Sequence, residues 1–192
     1  MKNQYTFLRH AETIKDPSKP APEWDLTSEA LDKINQHISQ SKFDKISKIY
    51  SSTESKAVAT GKPILEYLQS KLPNIKISDL GIYELEEFVE IKREKKFLTD
   101  TEFHDQKKRE LTNLNQIENG VESANTALIR FEAGIQKLEE KYADVGNPEN
   151  ILIITHGTVL ALYLSKMESD MKNVFSQWQK LQFCELIELP NN

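Results

Sequence analysis

Two histidines, two strong cations and one carboxylate stand directly behind strand-like runs in this chain. The apolar run Gln4 to Leu8 ends on Arg9 and His10, and the run "KISKIYSS" (Lys45 to Ser52) leads into "SSTESKAVAT", which carries Ser51, Ser52 and Lys56. The run "NIKISDL" (Asn74 to Leu80) leads into "DLGIYE" and Glu84, and "NILIITHG" (Asn150 to Gly157) ends on His156 and Gly157. Such a collection suits a phosphate. Arginine offers a planar fork of donors matched to phosphate oxygens, lysine adds a point charge, and a helix beginning near Thr53 would aim backbone N–H groups at the same anion.

A phosphate held in this way serves either of two chemistries. His10 takes the phosphoryl group as a nucleophile, or both histidines simply bind an anion. The first needs a neutral imidazole, which neighbouring cations favour by opposing protonation. It also needs an acid for the leaving group, and Glu84 is the candidate, because an adjacent phosphate dianion would keep its carboxyl protonated. Other chemistries lack their residues. Gly61-Lys62 has no upstream glycine of a P-loop, no H-E-x-x-H occurs, the glycine-rich dinucleotide fingerprint is missing after the first strand, and no arginine follows Cys184 to make a thiol phosphatase loop. No metal is expected, since Glu12 is the only carboxylate near His10 in sequence and there is no cysteine cluster. His37 and His104 read as surface residues, and Cys184 as a small buried one.

Positioning these residues requires short strands separated by helices. The five strand-like runs are those above and "FCELIEL" (Phe183 to Leu189). "TSEALDKINQHIS" opens on Thr27, a good N-cap, with Ala30, Leu31, Ile34 and Ile38 on one stripe. "TESKAVATGKPILEYLQSKL" brings Val58, Leu65, Leu68 and Leu72 to one side, with Gly61 and Pro63 marking a break or kink. "ESANTALIRFEAGIQKLEEKYADVG" spaces Leu128, Phe131, Ile135 and Leu138 helically and stops near Gly146. The alternation predicts an α/β domain, a largely parallel sheet with helices on both faces, whose ligands bind at the carboxyl ends of the strands.

From about Leu85 to Gly120 the alternation breaks into a charged helical insertion, expected to cover the sheet edge as a lid. Its cationic stretches, "IKREKK" (Ile91 to Lys96) and "QKKRE" (Gln106 to Glu110), are read as a solvated face. At 192 residues, 38% hydrophobic and 29% charged, the chain fits one core, and no apolar run approaches the roughly 20 residues of a membrane span. A net charge of −5 disfavours general nucleic-acid binding, and neither a signal region nor a second cysteine is present, so a cytoplasmic location is expected.

The ordered motifs resemble those of the histidine phosphatase superfamily, the phosphoglycerate-mutase-like fold. "FLRHAET" is similar to its "RHG" signature, "WDLTSEA" to a "D-x-x-L-T-x-x-G" helix start, and "SSTESKAVAT" to "S-x-x-x-R-A-x-x-T". "DLGIYE" resembles the segment ending in the proton-donor glutamate, "ESANTALIR" the "G-E-S-x-x-x-x-x-x-R" motif, and "IITHGTVL" the second-histidine motif. The resemblance implies a three-layer α/β/α domain over residues 1–192, a phosphohistidine at His10, a clamp of Arg9 and His156, Glu84 as acid and then base, and no metal or cofactor. Lys56, Thr13 and Gly157 join Arg9 as phosphate-binding candidates. Four departures stand out: Ala11 replaces the glycine after the nucleophile, Lys56 replaces an arginine, Val121 replaces the glycine of "G-E-S" with Gly120 before it, and the glycine-aromatic-glutamate-glycine run after Glu84 is absent. The expected activity is a phosphomonoester phosphatase acting on a phosphorylated small molecule or phosphoprotein. A phosphoglycerate-type mutase and a catalytically weak member that binds a phosphorylated ligand or protein are the alternatives. Oligomeric state is not legible.

Overall fold

The computed structural model describes residues 3–71, 80–94, 96–118, 120–143 and 148–189. Five strands form one sheet: β1 (Gln4–Arg9), β2 (Lys48–Ser51), β3 (Ile82–Glu84), β4 (Asn150–Thr155) and β5 (Leu186–Glu188), in the order β3-β2-β4-β1-β5. All neighbours are parallel except β5, which runs antiparallel to β1 at the edge. The helices are α1 (Ser28–Ser39), α2 (Ser55–Lys71), α3 (Asp100–Thr112), α4 (Ala124–Lys141), α5 (Gly157–Met167) and α6 (Val174–Lys180).

Side chains on a strand alternate between faces, so a sheet covered on both sides needs apolar residues at consecutive positions. This sheet meets that demand. Phe7, Tyr50, Ile151 and Ile153 pack on one face with residues of α4 and α5, while Leu8, Ile49, Leu152 and Ile154 pack on the other with residues of α1 and α2. The result is the expected α/β/α arrangement, with α3 set against α6 beside it.

Several local expectations hold and several do not. Thr27 caps α1, its hydroxyl accepting from the Ala30 amide, and Ala30 and Ile34 are buried. Leu31, expected on the same stripe, is exposed. Helix α2 runs through Gly61 and Pro63 without a break, and it buries Ala57, Thr60, Gly61, Ile64 and Leu68, leaving Val58 and Leu65 only half-buried. Gly61 is a packing residue: a Cβ there would lie 2.9 Å from Ile154 Cδ1 and 3.0 Å from Ile82 Cδ1. Asn74 to Asp79 of the third expected strand, together with Leu72 and Gly146, lie outside the described residues; the strand described in that region is β3, which ends on Glu84 itself.

The insertion begins later than its composition suggests. Phe88, Val89 and Ile91 belong to the buried core, and Thr155 at the end of β4 donates its hydroxyl to the Phe88 carbonyl at 2.8 Å. Its cationic stretch is also not wholly solvated. Lys107 is fully buried and paired with Glu110 at 2.8 Å, and burial lowers its pKa, opposed in part by Glu90 and Glu110. Gly120 has φ of +79°, the left-handed turn for which a glycine is needed, so the glycine is displaced by one position and Val121 is free to be a larger residue.

Candidate active site

Strands β1, β2 and β4 are parallel neighbours, so their carboxyl ends lie side by side and deliver Arg9-His10, Ser51-Ser52 and His156 to one rim. The His10 and His156 rings are 5.0 Å apart between centroids. His10 retains 7% of its surface and His156 none. Burial, then the neighbouring His156 and Lys56, holds His10 well below the ordinary imidazole range; burial and Lys56 do the same to His156 against the opposing pull of Glu90. Both rings are therefore neutral at neutral pH.

The neutral state fixes the tautomer of His10. Its Nδ1 lies 2.7 Å from the Ala11 carbonyl oxygen, which can only accept, so the ring proton sits on Nδ1 and the lone pair on Nε2. The loop bearing His10 is tied down on its other side, since the Ala11 amide donates to Thr60 Oγ1 at 2.9 Å, and the Thr60 hydroxyl in turn donates to the Lys56 carbonyl at 2.7 Å. The Ala11 methyl is completely buried in the core beneath the rim, and the residue does not occupy the positive-φ region. Glycine is not required there.

Arg9 turns its guanidinium toward the start of α5. Nη1 donates to the Leu181 carbonyl at 2.5 Å, and Cζ sits 4.0 Å from the centroid of the Phe183 ring. Gly157 makes room for it, because a Cβ at that position would stand 3.1 Å from both Cζ and Nε of Arg9. Lys56, in the first turn of α2 and 7% exposed, donates to the Ala21 carbonyl at 3.1 Å and pairs with Glu54 at 2.9 Å. Among the described residues, four buried polar atoms at this rim, Arg9 Nε, His156 Nδ1, Thr158 Oγ1 and Glu54 Oε2, make no hydrogen bond within the protein. Buried polar atoms are nearly always satisfied, so unsatisfied ones gathered at one rim set it apart from the rest of the core.

The remaining sequence candidates lie further out. Glu84, exposed, ends β3 opposite Ser51, and Leu85 after it donates its amide to the Ser51 carbonyl at 2.8 Å. Thr13 is half-buried in an isolated bridge with Leu26, and its side chain makes no hydrogen bond to the cluster among the described residues. His37, expected at the surface, is half-buried and hydrogen-bonded through Nε2 to the Cys184 carbonyl at 2.9 Å. His104 is exposed as expected, beside Phe175 and Trp178. Cys184 is buried, with φ of +57°.

Sequence reasoning named Ser52 without a role and missed three further participants, Glu54, Glu90 and Arg130. Ser52 Oγ is 2.8 Å from His156 Nε2, and Glu54 places Oε1 3.5 Å from the same nitrogen. Glu90 accepts the Thr158 amide at 3.1 Å, at the N-terminus of α5, and its pKa is lowered by Lys107, His156 and Arg93 against burial. Arg130 is the last of them. Its Nη1 donates to the Glu87 and Val89 carbonyls at 2.9 and 3.0 Å, its Nη2 to the Glu90 carbonyl at 3.2 Å, and Nη2 also to Glu122 Oε2 at 2.9 Å. The Glu122 and Arg130 of "ESANTALIR" thus hold the turn that carries Glu90. A repeat of carboxylates, "ELEEFVE", was the available signal for Glu90, but sequence spacing could not say which of them turns inward.

The class of protein is thus a doubly covered, mostly parallel α/β sheet with Arg9, Lys56 and two neighbouring histidines at its carboxyl rim. Residues 5–189 match the model of the Histidine phosphatase superfamily (branch 1), and the chain belongs to that superfamily. Among solved structures, a mycobacterial glucosyl-3-phosphoglycerate phosphatase in complex with VO3 is similar at a TM-score of 0.72 and 14% identity, over 98% of this chain and 91% of that one. A phosphoserine phosphatase mutant from Entamoeba histolytica in complex with phosphoserine is similar at 0.68 and 16%, over 96% and 88% of the two chains. A phosphoglycerate mutase from Bacillus anthracis follows at 0.62 and 16%, over 88% and 82%. At these identities the likeness is one of fold. No curated protein sequence matches the chain.

Proposed function

We propose that the protein is a metal-independent phosphomonoester phosphatase working through a phosphohistidine on His10. The observation that carries this reading is the tautomer: a buried neutral imidazole whose Nδ1 proton is committed to the Ala11 carbonyl presents Nε2 as a nucleophile beside Arg9, Lys56 and His156. In the first step the Nε2 lone pair forms a bond to phosphorus as the ester P–O bond breaks, and Glu84 gives its proton to the leaving oxygen. In the second, Glu84 takes a proton from water, the water oxygen bonds to phosphorus, the P–N bond breaks and His10 returns to its neutral form. Arg9 and Lys56 balance the charge on the phosphoryl oxygens throughout, with Gly157 admitting the guanidinium. Phosphoryl transfer depends mainly on positioning and electrostatic stabilisation, which this cluster supplies.

Substrates of this reading are phosphorylated small molecules or phosphoproteins. Phe97 lies against Trp24 and Asp100 pairs with Lys15, near the loop whose Ala21 carbonyl accepts from Lys56, which supports a lid role for the part of the 85–120 region beyond its core turn. A single buried cysteine suits a reducing compartment such as the cytoplasm.

The test is direct. Purified protein is incubated with an aryl phosphate and excess chelator, quenched in alkali, and assayed for an acid-labile, base-stable phosphoryl group. Turnover with a label that vanishes in His10→Ala is the expected result. Neither turnover nor label across a broad phosphomonoester panel would replace the enzyme with a phosphate-binding protein, and conversion of a phosphoglycerate to its positional isomer without release of phosphate would make it a mutase.

A further inference from the structure

The cradle already contains an anion belonging to the protein. Glu54 stands just before α2, its amide bonded to Ser52 Oγ at 3.1 Å, and its carboxylate turns inward, not toward solvent. Oε2 is 2.9 Å from Lys56 Nζ, while Oε1 is 3.5 Å from His156 Nε2 and accepts the Glu90 amide at 3.0 Å. The side chain is 9% exposed. An ammonium, an imidazole and a backbone N–H are groups that a phosphoryl group would use, and here one carboxylate is paired with the first, lies beside the second and accepts the third.

The charge count at the rim sharpens the point. Arg9 and Lys56 bring two positive charges, Glu54 and Glu90 two negative ones, and the two histidines are neutral. Lys107 and Arg93 add positive charge on the side of Glu90, and the cation that Glu54 occupies directly is Lys56. Of the two carboxylates, Glu90 is locked: Oε1 accepts the Ile91 amide at 2.8 Å, Oε2 accepts the Thr158 amide at 3.1 Å, and Arg130 grips its carbonyl at 3.2 Å. Glu54 is held by a single hydrogen bond and its pairing with Lys56, at the end of a strand-to-helix loop, and is the one that can move.

We infer that Glu54 is an internal competitor for the phosphate cradle: a substrate phosphoryl group enters by displacing its carboxylate from Lys56 and His156, and the carboxylate returns to expel inorganic phosphate. The inference rests on the phosphate-cradle reading above and assigns Glu54 a role in affinity and product release. It also accounts for a lysine at position 56. A flexible ammonium can swing between the carboxylate and an incoming phosphoryl oxygen, whereas a bidentate guanidinium paired to Glu54 would hold the competitor in place.

The test measures inorganic phosphate binding by titration calorimetry, and phosphate product inhibition of turnover, in wild type and Glu54→Gln. The amide keeps the acceptor for the Glu90 amide and removes the charge. Tightening of phosphate binding by about tenfold or more, with a matching fall in the inhibition constant, is the expected result, because a charged competitor in direct contact with two binding groups is gone. Should Glu54→Gln fail to fold, Glu54→Leu takes its place with the same expectation. Unchanged or weaker binding in the folded variant, with wild type still binding phosphate, overturns the inference while leaving the cradle intact. No binding by wild type or either variant overturns the cradle reading, and this inference with it.

Discussion

At the scale of single residues the site depends on where protons are held. His10 is neutral because it is buried beside His156 and Lys56, and its tautomer is dictated by one backbone carbonyl. Glu84 has the opposite setting, exposed at the end of β3, where a leaving group arriving from solvent would meet it. This separation predicts how Glu84→Gln behaves. Turnover of an alkyl phosphate should fall by about 100-fold, within the range for loss of a general acid, while a nitrophenyl phosphate should lose far less because its leaving oxygen needs little protonation. Equal slowing of both in a leaving-group series would remove Glu84 from the acid role. Ala11 shows the converse, a departure from the superfamily pattern that has a plain explanation: its methyl enters the core below the rim, and its backbone needs no glycine.

At the scale of elements, the segment after β3 is the part that composition misrepresents. Its opening turn is core, carrying Phe88 and Ile91 inward and setting Glu90 against the first turn of α5. Arg130 from α4 holds that turn through its carbonyls, and Glu122 holds Arg130 while also accepting the Lys92 amide at 2.8 Å. Arg130→Met should therefore unfold at lower urea, at a cost of about 3 kcal/mol or more, since it takes the guanidinium away from a buried carboxylate and several carbonyls at once. Activity should fall beyond what the loss of folded protein explains, because Glu90 is displaced from α5. A change under about 0.5 kcal/mol in denaturant midpoint, typical of surface positions, would contradict the clamp.

At the scale of the whole molecule, burying neutral histidines and a charged carboxylate couples stability to pH. The unfolded chain protonates His10 and His156 near the ordinary 6.5, whereas the folded chain does so only well below it, so protons bind the unfolded state preferentially as pH falls. Stability present above 6.5 is lost on acidification, with a limiting slope of about 1.4 kcal/mol per pH unit for each histidine. Glu90, lowered from an ordinary 4.5, adds a second loss below that pH. Calorimetric unfolding should show a falling midpoint from pH 7 to 5, shallower in His156→Asn. A flat profile over that interval would mean that neither histidine is neutral and buried in the folded chain.

The alternation of strands and helices, the consecutive apolar residues of β1 and β4, and the rim positions of Arg9, His10, Lys56 and His156 were all legible in the sequence. Each follows from local rules: side-chain periodicity, capping by Thr27, and the fact that residues just past a parallel strand emerge at one edge. What only the tertiary structure decided is which polar residues turn inward. Lys107, Glu90 and Glu54 have the composition of solvated surface, and their burial depends on one another across elements: Lys107 of α3 acts on Glu90, whose amide Glu54 accepts from 36 positions away. Local patterns record hydrophobicity along one element, whereas a buried charge is stabilised by a charge from another, and that pairing exists only after the elements pack.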